Sequence, residues 1–316
     1  MDINGKNILI TGGCGFIGSN FVHHLITNYN CNITVVDCMN YAARFENLDP
    51  YFNDIMFIRD DISDYQAMKN NITGVDLIVN FAAETHVDRS IVNNQRFIES
   101  NVQGVNVLAD LASKNEIQLC HISTDEVLGV SDPLTPLDEF APLAPRNPYS
   151  ASKASAELLL RAFGETFGLN YIITRGANTY GPRQYPEKII PLFIKNALSG
   201  YHLPLYGDGS ALRDYLYVED HVSGICCAIE NGTNQEIYHI SSEKLMSGNE
   251  IAEAVLKATD SKSKPQYVKD RPGHDMCYNI SNQKLKLLGW SPKWNLESGL
   301  QETIEWYKTS YNFSLQ

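Results

Sequence analysis

Along the first half of the chain, short apolar runs alternate with stretches in which apolar residues recur at helical spacing. Residues 6–11 (KNILIT) read as a strand, followed by a glycine-rich turn and a helix from about residue 16 to 29. Runs at 32–37 (NITVVD), 54–60 (DIMFIRD) and 75–83 (VDLIVNFAA) predict the next strands. A helix is expected over 94–114 and a fifth strand over 118–124 (QLCHIST). Pro148 opens and Gly168 closes a further helix over 148–168, and a sixth strand covers 170–177. Strands alternating with helices imply α/β architecture, a doubly wound parallel sheet with helices on both faces.

The rhythm breaks after Arg175, where Pro and Gly recur in GPRQYPEKIIP, LPLYGDGS, RPGH and GWSP. These read as loops and short helices of a smaller C-terminal, substrate-binding lobe. DYLYVED (214–220) with its following helix, and EIYHIS (236–241), read as a return to the sheet. The expected division is a dinucleotide-binding (Rossmann) domain over 1–177 plus about 214–241, and a second lobe over 178–213 and 242–316.

Net charge is −12, which disfavours a nucleic-acid or anionic-membrane partner but allows a local basic pocket. No run approaches the roughly 18 apolar residues of a membrane span. The seven cysteines include no C-x-x-C pair and are odd in number, so reduced thiols in a cytoplasmic protein are expected. A strand begins almost at once, leaving no room for a signal peptide. No metal site is expected.

Gly12, Gly15 and Gly18 fall between a strand and a helix, where glycines let a helix N-terminus approach a pyrophosphate. Alone, such a triplet is also what any strand-to-helix turn could carry. Asp37 strengthens the reading: it ends the second strand, about 20 residues on, where an acid bonds ribose hydroxyls. An acid there repels a 2′-phosphate, so NAD is expected rather than NADP. Asp61 and Ile62, after the third strand, would lie at the adenine edge. Phe16, Ile17, Ala82 and Ala83 are placed with them as cofactor contacts.

Tyr149 and Lys153 stand at i and i+4 in YSASK and share a helix face. A lysine cation near the phenol would lower its pKa and make it a base for a hydroxyl proton, and Lys153 with Tyr149 is also expected among the cofactor contacts, the lysine at the nicotinamide ribose. An exposed helix pair is the plainer alternative, made less probable by the glycine turn and by Thr124 on the fifth strand. The stretch HISTDEVLG then puts Thr124, Asp125 and Glu126 side by side. Successive strand side chains alternate faces, so both acids serve one site only if the strand ends there. Repulsion between them favours one protonated and one ionised carboxyl.

Across nearly its whole length the sequence resembles the extended short-chain dehydrogenase/reductase family. Within it, the chain is most similar to the nucleoside-diphosphate-glucose 4,6-dehydratases. The resemblance lies in GGCGFIGSNF, FAAETHVDRSI, STDEV, NPYSASKASAE, YGPRQYPEKIIPLFI, LPLYGDGSALRDYLYVEDH and DRPGHD. Relatives that only epimerise C4 generally lack the acid pair, and those that decarboxylate keep only its glutamate. Those two activities are the nearest alternatives, and a non-catalytic NAD-binding regulator is a third. The resemblance implies that Tyr149 takes the sugar 4-OH proton as C4 gives hydride to NAD. Glu126 then removes the C5 proton, Asp125 protonates the leaving C6 hydroxyl, and hydride returns to C6. It also nominates Lys188, Arg213 and Arg271 around the diphosphate, Glu187 among the substrate contacts, Asn178 at the sugar or diphosphate, Tyr206 at the base or ribose, and Thr85 and His86 near the reacting carbons. A homodimer is implied through a four-helix bundle of helices 94–114 and 149–167, on which Val102, Val105, Leu108, Leu158 and Leu159 are in excess of one sheet-facing stripe. Three departures stand out: Leu128 where the family has Tyr, Cys277 where it has Arg, and HISSEKLMS in place of the usual NIGG. Leu128 is expected to change packing behind the acids rather than the chemistry.

Overall fold

A computed structural model describes residues 1–270 and 273–311. Its strands are β1 Asn7–Thr11, β2 Asn32–Val36, β3 Ile55–Ile58, β4 Leu77–Asn80, β5 Gln118–Thr124, β6 Tyr171–Gly176, β7 Asn178–Tyr180, β8 Leu203–Tyr206, β9 Leu212–Tyr217, β10 Glu236–Ile240, β11 Leu245–Ser247, β12 Pro265–Val268 and β13 Cys277–Tyr278. The large sheet has the order β10-β6-β5-β4-β1-β2-β3, and every pairing is parallel. The order reverses between β1 and β4, and ligands of such sheets bind at the carboxyl ends of the strands there.

Alternate side chains of the strands feed two apolar layers. Ile8, Ile10, Val79 and Ile122 face the helices Phe16–Asn28 and Val218–Asn231. Leu9, Ile78 and Leu119 face the helices Tyr65–Asn71, Val105–Lys114 and Pro148–Phe167. The last of these starts as the sequence suggests. Asn147 Oδ1 caps Ser150 N at 2.9 Å, Pro148 fills the first turn, and Gly168 ends the helix at φ +70°.

Two expectations are corrected. The segment expected at 214–220 does not return to the large sheet. It is β9, which pairs with β7, β11 and β13 in a separate small sheet. Only the helix Val218–Asn231 packs back, against Phe16–Asn28, before β10 joins the large sheet beside β6. The helix expected over 94–114 is not regular either. A π-helical stretch at Glu99–Gly104 separates Gln95–Ile98 from Val105–Lys114. Two contacts lie at this bulge. A Cβ on Gly104 would fall 2.4 Å from Ile62 Cδ1, and the Asn101 side chain bonds both N and O of Glu84 and Ser152 Oγ.

Candidate active site

The carboxyl ends of β1, β2, β4, β5 and β6 open into a cleft of about 560 Å³. At its dinucleotide end the chain requires glycine on steric grounds. Gly12 has φ +70°, and a Cβ on it would lie 2.5 Å from Ala82 N. A Cβ on Gly18 would lie 2.4 Å from Gly12 O, so the helix could not pack this close to the turn. Asp37 is buried, accepting from Cys14 N at 3.0 Å and from Met39 N at 2.8 Å. It therefore locks the glycine turn as well as facing the cleft. Phe16, Ile17, Asp61, Ile62, Ala82 and Ala83 line the same end. Asp61 Oδ1 is engaged by Ser63 N at 2.9 Å and Ser63 Oγ at 2.8 Å. A turn that only glycine can make, beside a buried acid, fits a dinucleotide.

At the other end β5 stops at Thr124, and Asp125–Leu128 make one 3₁₀ turn closed by Gly129 at φ +72°. That turn answers the question raised by the adjacent acids: they leave the strand alternation and both line the cleft. Thr124 Oγ1 donates to Asp125 Oδ1 at 3.1 Å and accepts from Glu126 N at 3.3 Å. Asp125 is 3% exposed, and burial with the neighbouring Glu126 charge raises its pKa to about 8. Its Oδ2 has no hydrogen-bond partner among the described residues. The second acid, Glu126, accepts from Asn147 Nδ2 at 3.4 Å. One carboxyl is thus held protonated beside another, the split that paired acid and base work requires.

Tyr149 and Lys153 line the same wall. Burial and the charges of Glu126 and Asp125 push the Tyr149 phenol up, while a hydrogen bond with Thr124 acts against them. The expectation that Lys153 draws the phenol down is not met in this arrangement. Lys153 Nζ instead donates to Ile122 O at 2.6 Å and lies 3.2 Å from His121 Nε2, and burial lowers its pKa to about 8.

Thr85, Asn178, Glu187 and Lys188 also line the cleft. Lys188 Nζ donates to Thr85 O at 2.8 Å, and Asn178 Oδ1 is a buried acceptor with no partner among the described residues. Three nominated residues do not line it. His86 caps the helix Val87–Val92 and lies 3.7 Å from Glu187 Oε2. Tyr206 is exposed, donating to Asp88 Oδ2 at 3.0 Å. Arg213 is buried, donating to Leu212 O at 2.7 Å and Asp275 O at 2.6 Å, and stacks over Tyr278. Arg271 lies outside the described residues. Leu128 packs with Val127, Ala154 and Ile280, and Cys277 Sγ accepts from Ser131 Oγ at 3.7 Å.

The sequence reading missed several supporting residues. Arg175 on β6 and Glu157 on the helix form a buried ion pair at 2.7 Å, joined by Ser123 Oγ at 2.5 Å. Tyr41 OH donates to Glu187 Oε1 at 2.9 Å. His121 and Asn80 lie beneath Lys153. A signal for these existed in the polar residues interrupting otherwise apolar strands.

The parallel sheet, the glycine turn and the Thr124–Tyr149–Lys153 group define a dinucleotide-dependent enzyme of the extended short-chain dehydrogenase/reductase class. The chain belongs to the GDP-mannose 4,6 dehydratase family, which it matches over residues 9–303. It is 44% identical to the low-salt glycan biosynthesis protein Agl12 of Haloferax volcanii, covering 95% of this chain and 98% of that one. It is 42% identical to dTDP-glucose 4,6-dehydratase of Streptomyces niveus, covering 95% and 92%. The structure superposes with a TM-score of 0.95 on DesIV, dTDP-glucose 4,6-dehydratase of Streptomyces venezuelae, solved with NAD and dTDP bound. That match has 39% identity and covers 98% of this chain and all of the other.

Proposed function

We propose that the protein is a lyase that converts dTDP-glucose to the 4-keto-6-deoxy sugar nucleotide. The observation that carries this reading is Asp125, buried and protonated beside Glu126 at the end of β5. Bound NAD would supply the hydride acceptor for C4 and the hydride donor for C6. Tyr149, once ionised, takes the proton of the 4-hydroxyl; burial and the two acids oppose that ionisation, and the hydrogen bond with Thr124 favours it. The C4 ketone acidifies the C5–H bond, and Glu126 removes that proton. Asp125 gives its proton to the departing C6 hydroxyl, and water leaves across C5–C6; C5 then takes a proton back from Glu126 as C6 takes the hydride. A buried acid with a pKa near 8 can act as donor at neutral pH. Gly12, Gly18 and Asp37 would hold the cofactor; Asn178 and Lys188, which line the same cleft, would meet the sugar diphosphate, and Glu187 would contact the substrate.

The protein is further proposed to act as a homodimer in the cytoplasm. Leu158 is 56% exposed on the helix Pro148–Phe167 and Ile98 is 50% exposed nearby, which supports pairing of these helices. Val105 and Leu108, expected on the same face, are buried within the chain instead. No helix among the described residues is long and apolar enough to cross a membrane.

The function is tested by incubating the protein separately with dTDP-glucose and UDP-glucose and identifying the products by mass and NMR. A 4-keto-6-deoxy product with dTDP-glucose is expected; an epimerised sugar would refute the reading. For the dimer, sedimentation at micromolar concentration is expected to show two chains per particle.

A further inference from the structure

Beneath the cleft, three polar side chains cross an otherwise apolar layer of the large sheet. Thr11 on β1, Asn80 on β4 and His121 on β5 are direct register partners, so parallel pairing sets them in one row on the same face. Val36 and Ile173 flank the row in the register. All three are essentially inaccessible to solvent, and the row leads to Lys153 on the helix packed over that face. Burying so many polar groups is costly unless each is paired, so the direction of every hydrogen bond is constrained.

The distances settle that direction. Thr11 Oγ1 lies 2.6 Å from Asn80 Oδ1, typical of an O–H···O bond and short for N–H···O. The threonine hydroxyl therefore donates to the amide carbonyl, which turns Asn80 Nδ2 toward His121 Nδ1 at 3.0 Å. An amide nitrogen only donates, so His121 Nδ1 is the acceptor and the neutral ring carries its proton on Nε2. Nε2 in turn faces Lys153 Nζ at 3.2 Å. We infer that His121 is a positioning residue for Lys153, locked by Thr11 and Asn80 with its proton on Nε2, so that it presents a donor to the lysine nitrogen.

The consequence concerns the charge of Lys153. An ammonium has three donors and no acceptor, so a ring N–H opposite it favours the amine. Among the other groups around the lysine, the Glu157 charge acts the other way but does not offset burial. Glu157, one turn along the same helix, is held by Arg175 on β6 and by Ser123 on β5. His121 is buried and neutral, Ile122 offers a carbonyl, and Tyr149, Asp125 and Glu126 stand on the same cleft wall. Burial works in the same direction as the ladder. Lys153 thus sits where amine and ammonium are both accessible near neutral pH, and can exchange a proton during turnover instead of serving as a fixed charge.

The inference rests on Lys153 belonging to the catalytic pair, but its test needs no turnover, so failure of the dehydratase reading would show separately in product analysis. The test is NMR on protein with ¹⁵N-histidine and ¹³C-lysine labels, with and without NAD. The expected result is an unprotonated Nδ1 and a protonated Nε2 for His121. Thr11→Val keeps the side-chain shape and removes only the hydroxyl, which frees the Asn80 amide to turn. The Nδ1–H tautomer is then expected to appear, and the Lys153 midpoint to move up by about one pH unit. A His121 protonated on Nδ1 in the unmodified protein would overturn the inference. So would a folded Thr11→Val variant whose His121 tautomer and Lys153 midpoint are unchanged.

Discussion

Asp125 and Glu126 are adjacent in the chain, yet the 3₁₀ turn after β5 buries the first and leaves the second partly open to the cleft. Glu126, bonded by Asn147, acts with burial to keep a proton on Asp125. The two carboxyls are therefore unequal before substrate arrives, with the buried Asp125 the one that keeps a proton.

A pH dependence follows from that division. Asp125 is a donor only while protonated, and its pKa is raised to about 8. The elimination step should hold its rate at neutral pH and fall as pH rises through that region. Asp125→Asn should lose on the order of 10²–10⁴ in rate and lose this alkaline limb with it. A limb retained in the variant would assign it to another group, of which Lys153 is the nearest candidate.

Glu126→Gln removes the proposed C5 base without touching the oxidation at C4. Single-turnover analysis should still show hydride leaving C4, with reduced cofactor accumulating. Exchange of the C5 proton with solvent deuterium should stop. Tyr149→Phe should halt earlier, with no reduced cofactor formed.

Asp37 faces the dinucleotide end of the cleft and also bonds Cys14 N and Met39 N. Asp37→Ser should weaken NAD binding and narrow the preference over NADP, measured by titration with each cofactor. An unchanged preference would leave Asp37 only the task of holding the glycine turn.

The Arg175–Glu157 pair lies wholly inside the fold and fastens β5 and β6 to the helix bearing Tyr149. Arg175→Met strands the Glu157 charge in the interior and should cost about 3–5 kcal/mol in denaturant unfolding. A loss below about 1 kcal/mol would show that the carboxyl simply takes up a proton.

The large sheet was legible because parallel strands buried on both faces read as continuous apolar runs, and the glycine turn because sterics demand glycine at Gly12 and Gly18. The cleft-lining stretch 124–126 was legible because adjacent acids at a strand end are costly without a use. What escaped the sequence depended on pairing between distant strands. Nothing local to β9 distinguishes it from a strand of the large sheet; its partners β7, β11 and β13 decide that. The resemblance nominated Arg213 for the diphosphate; what it did not show is that carbonyls of Leu212 and Asp275 hold two of its guanidinium donors. Lys153 was read through Tyr149 and the nicotinamide ribose, whereas His121, from β5, lies against its nitrogen.

The most direct measurement is turnover of dTDP-glucose in deuterated water, with the product read by NMR and the cofactor by absorbance. The product should be the 4-keto-6-deoxy sugar nucleotide carrying one deuterium, at C5, with the hydrogen from C4 now on C6 and no net growth of reduced cofactor. Steady accumulation of reduced cofactor, or a sugar inverted at C4 with its C6 hydroxyl intact, would contradict the assignment of Asp125 and Glu126.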